Sequence, residues 1–132
     1  MNVVVDASVI IAVIANEPEK DILIELTKEV ELIAPHSVHW EIGNAFSAML
    51  KRKRITLNQA IRAIEEYKKI PIRFLDVELK QSIKIADKFS IYAYDAYLIR
   101  CALQYNSQLL TLDQNLVNFA NQMNVKIMEV TR

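Results

Sequence analysis

Short apolar runs separated by much longer amphipathic stretches dominate this chain. Asn2-Val3-Val4-Val5, Leu32-Ile33-Ala34, Ile72-Arg73-Phe74-Leu75, Leu109-Leu110-Thr111-Leu112 and Val125-Lys126-Ile127-Met128 each have the length of a strand and are too short for a buried helix. The first and fourth read as strands covered on both faces, whereas the third and fifth carry Arg73 and Lys126, as edge strands can. Between them, helices are expected over Ser8–Ala15, Glu19–Glu31, Ser37–Lys53, Leu57–Lys69, Val77–Phe89, Asp95–Tyr105 and Gln114–Met123. This alternation predicts an α/β fold: a doubly wound, three-layer α/β/α arrangement on a parallel five-stranded sheet.

A length of 132 residues suits one domain over residues 1–132, with about two-thirds of its unfolded surface buried. No apolar run approaches the roughly 18 residues of a membrane span. The longest, Ala7–Ala15, follows an acid and has no basic segment before it, so no signal peptide is read and a cytoplasmic location is expected. A single cysteine, Cys101, excludes an internal disulfide framework and any multi-cysteine zinc site. A single glycine, Gly43, excludes a P-loop and a dinucleotide-binding loop. Lys plus Arg and Asp plus Glu both number 16, so global charge selects no partner.

In an open parallel sheet, ligands bind beyond the carboxyl ends of the strands. Asp6 ends the first run and Asp113 follows the fourth, both where a strand passes into a helix. Helix capping accounts for each of them taken alone, and Ser8 and Thr111 can equally bond local backbone. Glu41 lies early in the third helix with Asn44 on the same face, followed by the small residues Ala45 and Ala48. The helix dipole also favours an acid there. Asp95 stands among Tyr92, Ala93, Tyr94, Ala96 and Tyr97, with no basic residue before Arg100. Capping explains the acid but not its apolar company, which makes an uncompensated charge costly.

Taken together, Asp6, Glu41, Asp95 and Asp113 fall at four element junctions that can share one cleft. Carboxylates at contact distance need a counter-charge, and a hard divalent cation such as Mg²⁺ or Mn²⁺ supplies it through oxygen ligands. One ion suffices for a first ligand set; two, about 3.5–4 Å apart, allow in-line phosphodiester displacement. Such a site needs no His, Lys or Cys nucleophile.

Val3-Val4-Val5-Asp6-Ala7-Ser8, then Pro35 with Glu41-Ile42-Gly43-Asn44-Ala45, then Tyr94-Asp95-Ala96, then Leu110-Thr111-Leu112-Asp113-Gln114-Asn115-Leu116 resemble, in order and spacing, a PIN domain. The resemblance covers nearly the whole chain and is strongest to the VapC-type toxins of prokaryotic toxin–antitoxin pairs. It implies a sheet of order 3-2-1-4-5 and a metal-dependent endoribonuclease. It also implies that Asp6, Glu41, Asp95 and Asp113 form the acidic quartet, with Asp6 and Asp95 as direct metal ligands and Ser8, Asn44 and Thr111 in support. A homodimer, a small antitoxin whose tail blocks the cleft, and an RNA substrate follow from the same resemblance.

Other features have two readings. Lys51-Arg52-Lys53-Arg54 is either a solvated helix end or a phosphate contact for RNA. Lys80, Lys84 and Lys88 form a solvent-facing stripe at helical spacing. His36 and His39, without a third His or a second Cys, are poor zinc ligands, and Cys101 reads as core. Trp40, Tyr92, Tyr94 and Tyr97 serve packing, a dimer contact or base stacking. Two functional alternatives stand beside the toxin: a housekeeping RNA-processing nuclease without antitoxin, and a binding module that holds a basic peptide in the acidic cleft. A phosphate-receiving signalling domain would need paired acids after the first strand and a late Lys, and neither is present.

Overall fold

Val3, Val4 and Val5 are all buried. Consecutive strand residues point to opposite sides, so such a run requires both faces of the sheet to be covered. The computed structural model describes residues 1–131. It places β1 at Asn2–Val5, α1 at Ala7–Ile14, α2 at Lys20–Leu26, β2 at Glu31–Pro35, α3 at Ser37–Lys51 and α4 at Leu57–Lys68. After these come β3 at Ile72–Leu75, α5 at Leu79–Phe89, α6 at Ala93–Gln104, β4 at Gln108–Leu110 and α7 at Gln114–Gln122.

The strands are parallel and ordered β3-β2-β1-β4. Chain progression from β1 through β2 to β3 runs one way, and β4 lies on the other side of β1. The order therefore reverses between β1 and β4. Right-handed crossovers send α1–α4 to one face and α5–α6 to the other. Accordingly α1 packs on α2, α3 and α4, while α5 packs on α6. The rings of Phe89 and Phe119, 5.0 Å apart, join α5 to α7.

The expected fifth strand is not a strand. Val125–Met128 contributes one parallel bridge, Leu109 to Ile127, through Leu109 N–H to Lys126 C=O and Met128 N–H to Leu109 C=O, each 2.9 Å. Its partner β4 stops at Leu110, because the chain at Thr111 and Leu112 leaves the sheet to bond side chains of the first strand–helix junction. A strand this short offers one residue for pairing on its outer edge.

Several helices also end earlier than their periodicity predicts. With one glycine in the chain, α1, α3, α5, α6 and α7 close on Asn16, Lys53, Ser90, Asn106 and Asn124, all at φ between 48 and 60°. In α3, Lys53 N–H reaches Leu50 C=O and Arg54 N–H reaches Met49 C=O. This is a Schellman closure, which stops the helix at Lys51 and folds the basic run back over its end. Asn is the residue other than Gly that best tolerates this conformation, and three of the five positions use it. Among the described residues no helix is long and apolar enough to cross a membrane.

Candidate functional site

Asp6 leaves β1 in extended conformation and caps α1, its Oδ1 accepting Val9 N–H at 3.3 Å and Ser8 Oγ at 2.6 Å. Its Oδ2 accepts the hydroxyl of Thr111, a residue just past β4. Each hydroxyl is itself fixed by a backbone donor. Leu112 N–H bonds Ser8 Oγ at 3.1 Å, and Asp113 N–H bonds Thr111 Oγ1 at 3.0 Å. A hydroxyl that accepts an N–H has its own proton to give, so both protons are directed at the Asp6 carboxylate. The capping role and the junction role coincide in this residue.

Asp113 caps α7 through Oδ1, which accepts Asn115 N–H at 2.9 Å and Leu116 N–H at 3.4 Å. Asp95 does not cap its helix. The N-cap of α6 is Tyr92, and Asp95 sits in the first turn as the third helical residue. The helix begins two residues before the expected start, which removes capping as the explanation of this acid. Glu41, in the second turn of α3, has a buried Oε2 with no hydrogen-bond partner.

Asp6, Glu41 and Asp95 are each raised above the ordinary carboxyl range, and the charge of a neighbouring acid contributes in every case. Burial, and then the charge of Asp113, raise the Asp6 carboxyl above its ordinary value even against three hydrogen bonds that lower it. Burial pushes Glu41 up to about 7, helped by Asp6 and Asp95. Asp95 is raised by burial, Asp113 and Asp6. Among the described residues none of the four has a salt-bridge partner. The cluster is therefore a concentration of negative charge that the chain's own cations leave uncompensated. The donor set is oxygen alone, which suits a hard divalent cation. Among the described residues, no three acidic, His or Cys side chains lie close enough together to form a finished ligand cage.

The sequence profile of the PIN domain matches residues 3–122. The chain belongs to the PIN domain family. No curated protein matches this PIN domain significantly, but solved structures do. PAE2754 from Pyrobaculum aerophilum superposes with a TM-score of 0.71 at 22% identity, over 90% of this chain and 79% of that one. VapBC2 from Rickettsia felis, bound to a DNA fragment from their promoter, gives 0.69 at 15% identity over 97% and 98% of the two chains. VapC20 from Mycobacterium tuberculosis, a sarcin-ricin loop cleaving toxin, gives 0.63 at 13% identity over 88% and 93%. At these identities the likeness establishes a shared fold.

The candidate residues of this PIN domain separate into three groups. Asp6, Ser8, Thr111 and Asp113 form one hydrogen-bonded junction at the β1–β4 edge, with Glu41 and Asp95 coupled to it by charge. Asn44 is exposed, and among the described residues it makes no side-chain hydrogen bond to any of the acids. Lys51, Arg52, Lys53 and Arg54 are exposed at the other end of α3, about 15 Å along the helix axis from Glu41 at 1.5 Å per residue. His36 pairs with Asp76 at 3.1 Å and His39 with the Tyr67 hydroxyl at 2.8 Å.

What sequence reading misses are the backbone donors: Val9, Leu112 and Asp113 N–H complete the junction, and no side-chain pattern announces them. One local signal is available. A Thr two residues before an Asp forms a side-chain turn to that Asp's N–H, which is what Thr111 does.

Proposed function

We propose that this PIN domain is a divalent-metal-dependent endoribonuclease that hydrolyses RNA phosphodiester bonds. It acts as the toxin of a type II toxin–antitoxin pair, inhibiting translation and growth until a small antitoxin protein binds it, and it works as a homodimer. The observation that carries the nuclease reading is the unpartnered, buried Glu41 Oε2 within charge reach of Asp6 and Asp95. A fold that buries one more carboxylate than it compensates is arranged for a cation. The toxin reading is supported by the fold shared with VapBC2 and VapC20.

Asp6, Glu41, Asp95 and Asp113 would hold Mg²⁺ or Mn²⁺, with Asp6 and Asp95 as direct ligands. Such an ion makes a bound water nucleophilic at neutral pH and neutralises charge on the phosphoryl oxygens. The protein's contribution is positional. Ser8, Thr111 and the Val9 N–H hold the Asp6 carboxylate in one orientation, so it does not have to be ordered when substrate arrives. Using Oδ1 for both cap bonds, Asp113 keeps its second oxygen out of the cap. Glu41, pushed up to about 7 by burial and by Asp6 and Asp95, is the carboxyl whose ionisation a bound cation would favour.

The deciding experiment incubates purified protein with mixed-structure RNA in Mg²⁺, in Mn²⁺ and in chelator, beside Asp95→Asn. Internal cleavage that needs metal and falls at least a hundredfold in the variant is expected. Cleavage in chelator, or undiminished cleavage by a carefully purified variant, would overturn the assignment.

A further inference from the structure

Among the described residues, the buried side-chain polar atoms without a hydrogen-bond partner are Ser37 Oγ, Glu41 Oε2 and Arg100 Nε. Arg100 pairs through Nη2 with Glu78 at 2.8 Å, so its charge is met. The other two stand on α3, one turn apart. Residues four apart share one helix face, with Cβ atoms about 5–6 Å from one another. A helical side chain also leans over the turn before its own Cα, so the reach of Glu41 covers the turn that holds Ser37. The other serines leave no buried hydroxyl idle. Ser8, Ser47, Ser82 and Ser107 each donate to a nearby oxygen, and Ser90 is exposed. Nor is Ser37 spent on capping, since it follows His36, an N-cap without a side-chain bond.

We infer that Ser37 is a positioning residue for Glu41: its hydroxyl donates to Oε2 and holds the carboxylate toward a bound divalent cation. The inference rests on the metal-dependent reading above. Asn44, expected in support from the next turn of α3, is exposed, which leaves that role to the turn before. A buried hydroxyl and a buried carboxylate oxygen each cost free energy while unpaired, and one bond between them satisfies both. Such a bond is strongest to an acceptor that carries charge, so it belongs to the carboxylate in its metal-holding form. Hydrogen bonds of this kind behind a ligand raise the affinity of a metal site without touching the ion. Asp6 already has such partners in Ser8 and Thr111; Ser37 gives Glu41 its own.

Free Mn²⁺, followed by its electron paramagnetic resonance signal, gives the protein's affinity for the ion with no RNA and no turnover. Ser37→Ala should bind Mn²⁺ about ten- to a hundredfold more weakly than wild type, and Ser37→Thr should recover most of the loss. In a Glu41→Ala background the same change at Ser37 should cost nothing more, because the partner is gone. In chelator, Ser37→Ala should unfold at a denaturant midpoint no lower than wild type, because the hydroxyl has no bond there to lose. Unchanged affinity in Ser37→Ala, or an equal loss with and without Glu41, overturns the inference. So does a lower midpoint in chelator, which gives the hydroxyl a structural role instead. Binding that Asp95→Asn abolishes and Ser37→Ala leaves intact removes Ser37 and keeps the metal site. A wild-type protein that binds no Mn²⁺ removes the nuclease reading, and the inference with it.

Discussion

The Thr111 hydroxyl donates to Asp6 Oδ2 across 105 residues of sequence, closing the ends of β4 and β1 where the sheet order reverses. Its lone pair takes Asp113 N–H at 3.0 Å, so one hydroxyl fixes both acids of the junction. Thr111→Val keeps the shape and deletes both bonds. A loss of about 1–3 kcal/mol of stability is expected, the usual cost of leaving part-buried polar groups unsatisfied, together with slower RNA cleavage. Thr111→Ser restores most of both. Urea unfolding beside a cleavage assay checks this, and a Val variant as stable and active as wild type would show that the bond positions nothing.

Metal-free stability should fall as pH rises. Asp6, Glu41 and Asp95 all have folded-state carboxyls raised above their ordinary values. The folded chain then holds protons that the unfolded chain releases. This contribution is greatest below the ordinary carboxyl range and is lost by the time pH passes Glu41's folded value of about 7. For Glu41 the loss is on the order of 2 kcal/mol after discounting for its partial exposure. Glu41→Gln should flatten the slope and stabilise the metal-free protein at about pH 8. Denaturant midpoints in chelator near pH 5 and pH 8 test this, and an unchanged slope in the variant would remove Glu41 as its source.

Added Mg²⁺ should raise the unfolding midpoint in the opposite pattern, strongly near pH 8 and weakly near pH 5. The cation competes with protons for the same carboxylates and stabilises only the state that gathers them. Equal gains at both pH values would point to binding elsewhere on the surface.

The basic run should act on long RNA and not on the chemistry. Converting Lys51, Arg52, Lys53 and Arg54 to Gln is expected to weaken binding of long RNA and to make its salt slope shallower by about 0.7 for each phosphate no longer neutralised. Cleavage of an oligonucleotide too short to reach from the acidic cluster, about 15 Å away by helix rise, should not change. A slower rate on the short strand would place the run in the site after all.

Cys101 should be inert in the folded protein. It is fully buried in α6, and burial pushes its thiol up to about 12, so almost no thiolate exists at neutral pH. A thiol reagent should label it in urea and leave it unlabelled in buffer over the same time. Labelling of the native chain would mean that α6 opens locally far more readily than its packing suggests.

Much of this is legible in the residues themselves. The Val3–Val5 run identifies a central strand, because only a strand covered on both faces buries three consecutive side chains. Asp6 and Asp113 announce strand-to-helix junctions, and both cap the helices they introduce. Helix ends are less legible, since a Lys or Ser in left-handed conformation, as at Lys53 and Ser90, carries no signature comparable to Gly. The start of α6 is hidden for a related reason: Tyr92 is an N-cap without a capping side chain, so in sequence Asp95 looks like the cap.

The sequence by itself determined the α/β alternation, the parallel sheet and the junction positions of Asp6 and Asp113, because local periodicity and junction residues depend on near neighbours in the chain. Tertiary structure decided the rest. Whether Val125–Met128 pairs as a strand depends on how long β4 is, and β4 is cut short by bonds made to residues some hundred positions away. Whether an acid is a cap, a solvated charge or a buried group without a partner depends on what covers it. Desolvation is a property of the packed surroundings, and no window of sequence contains the atoms that leave Glu41 Oε2 buried and unpaired.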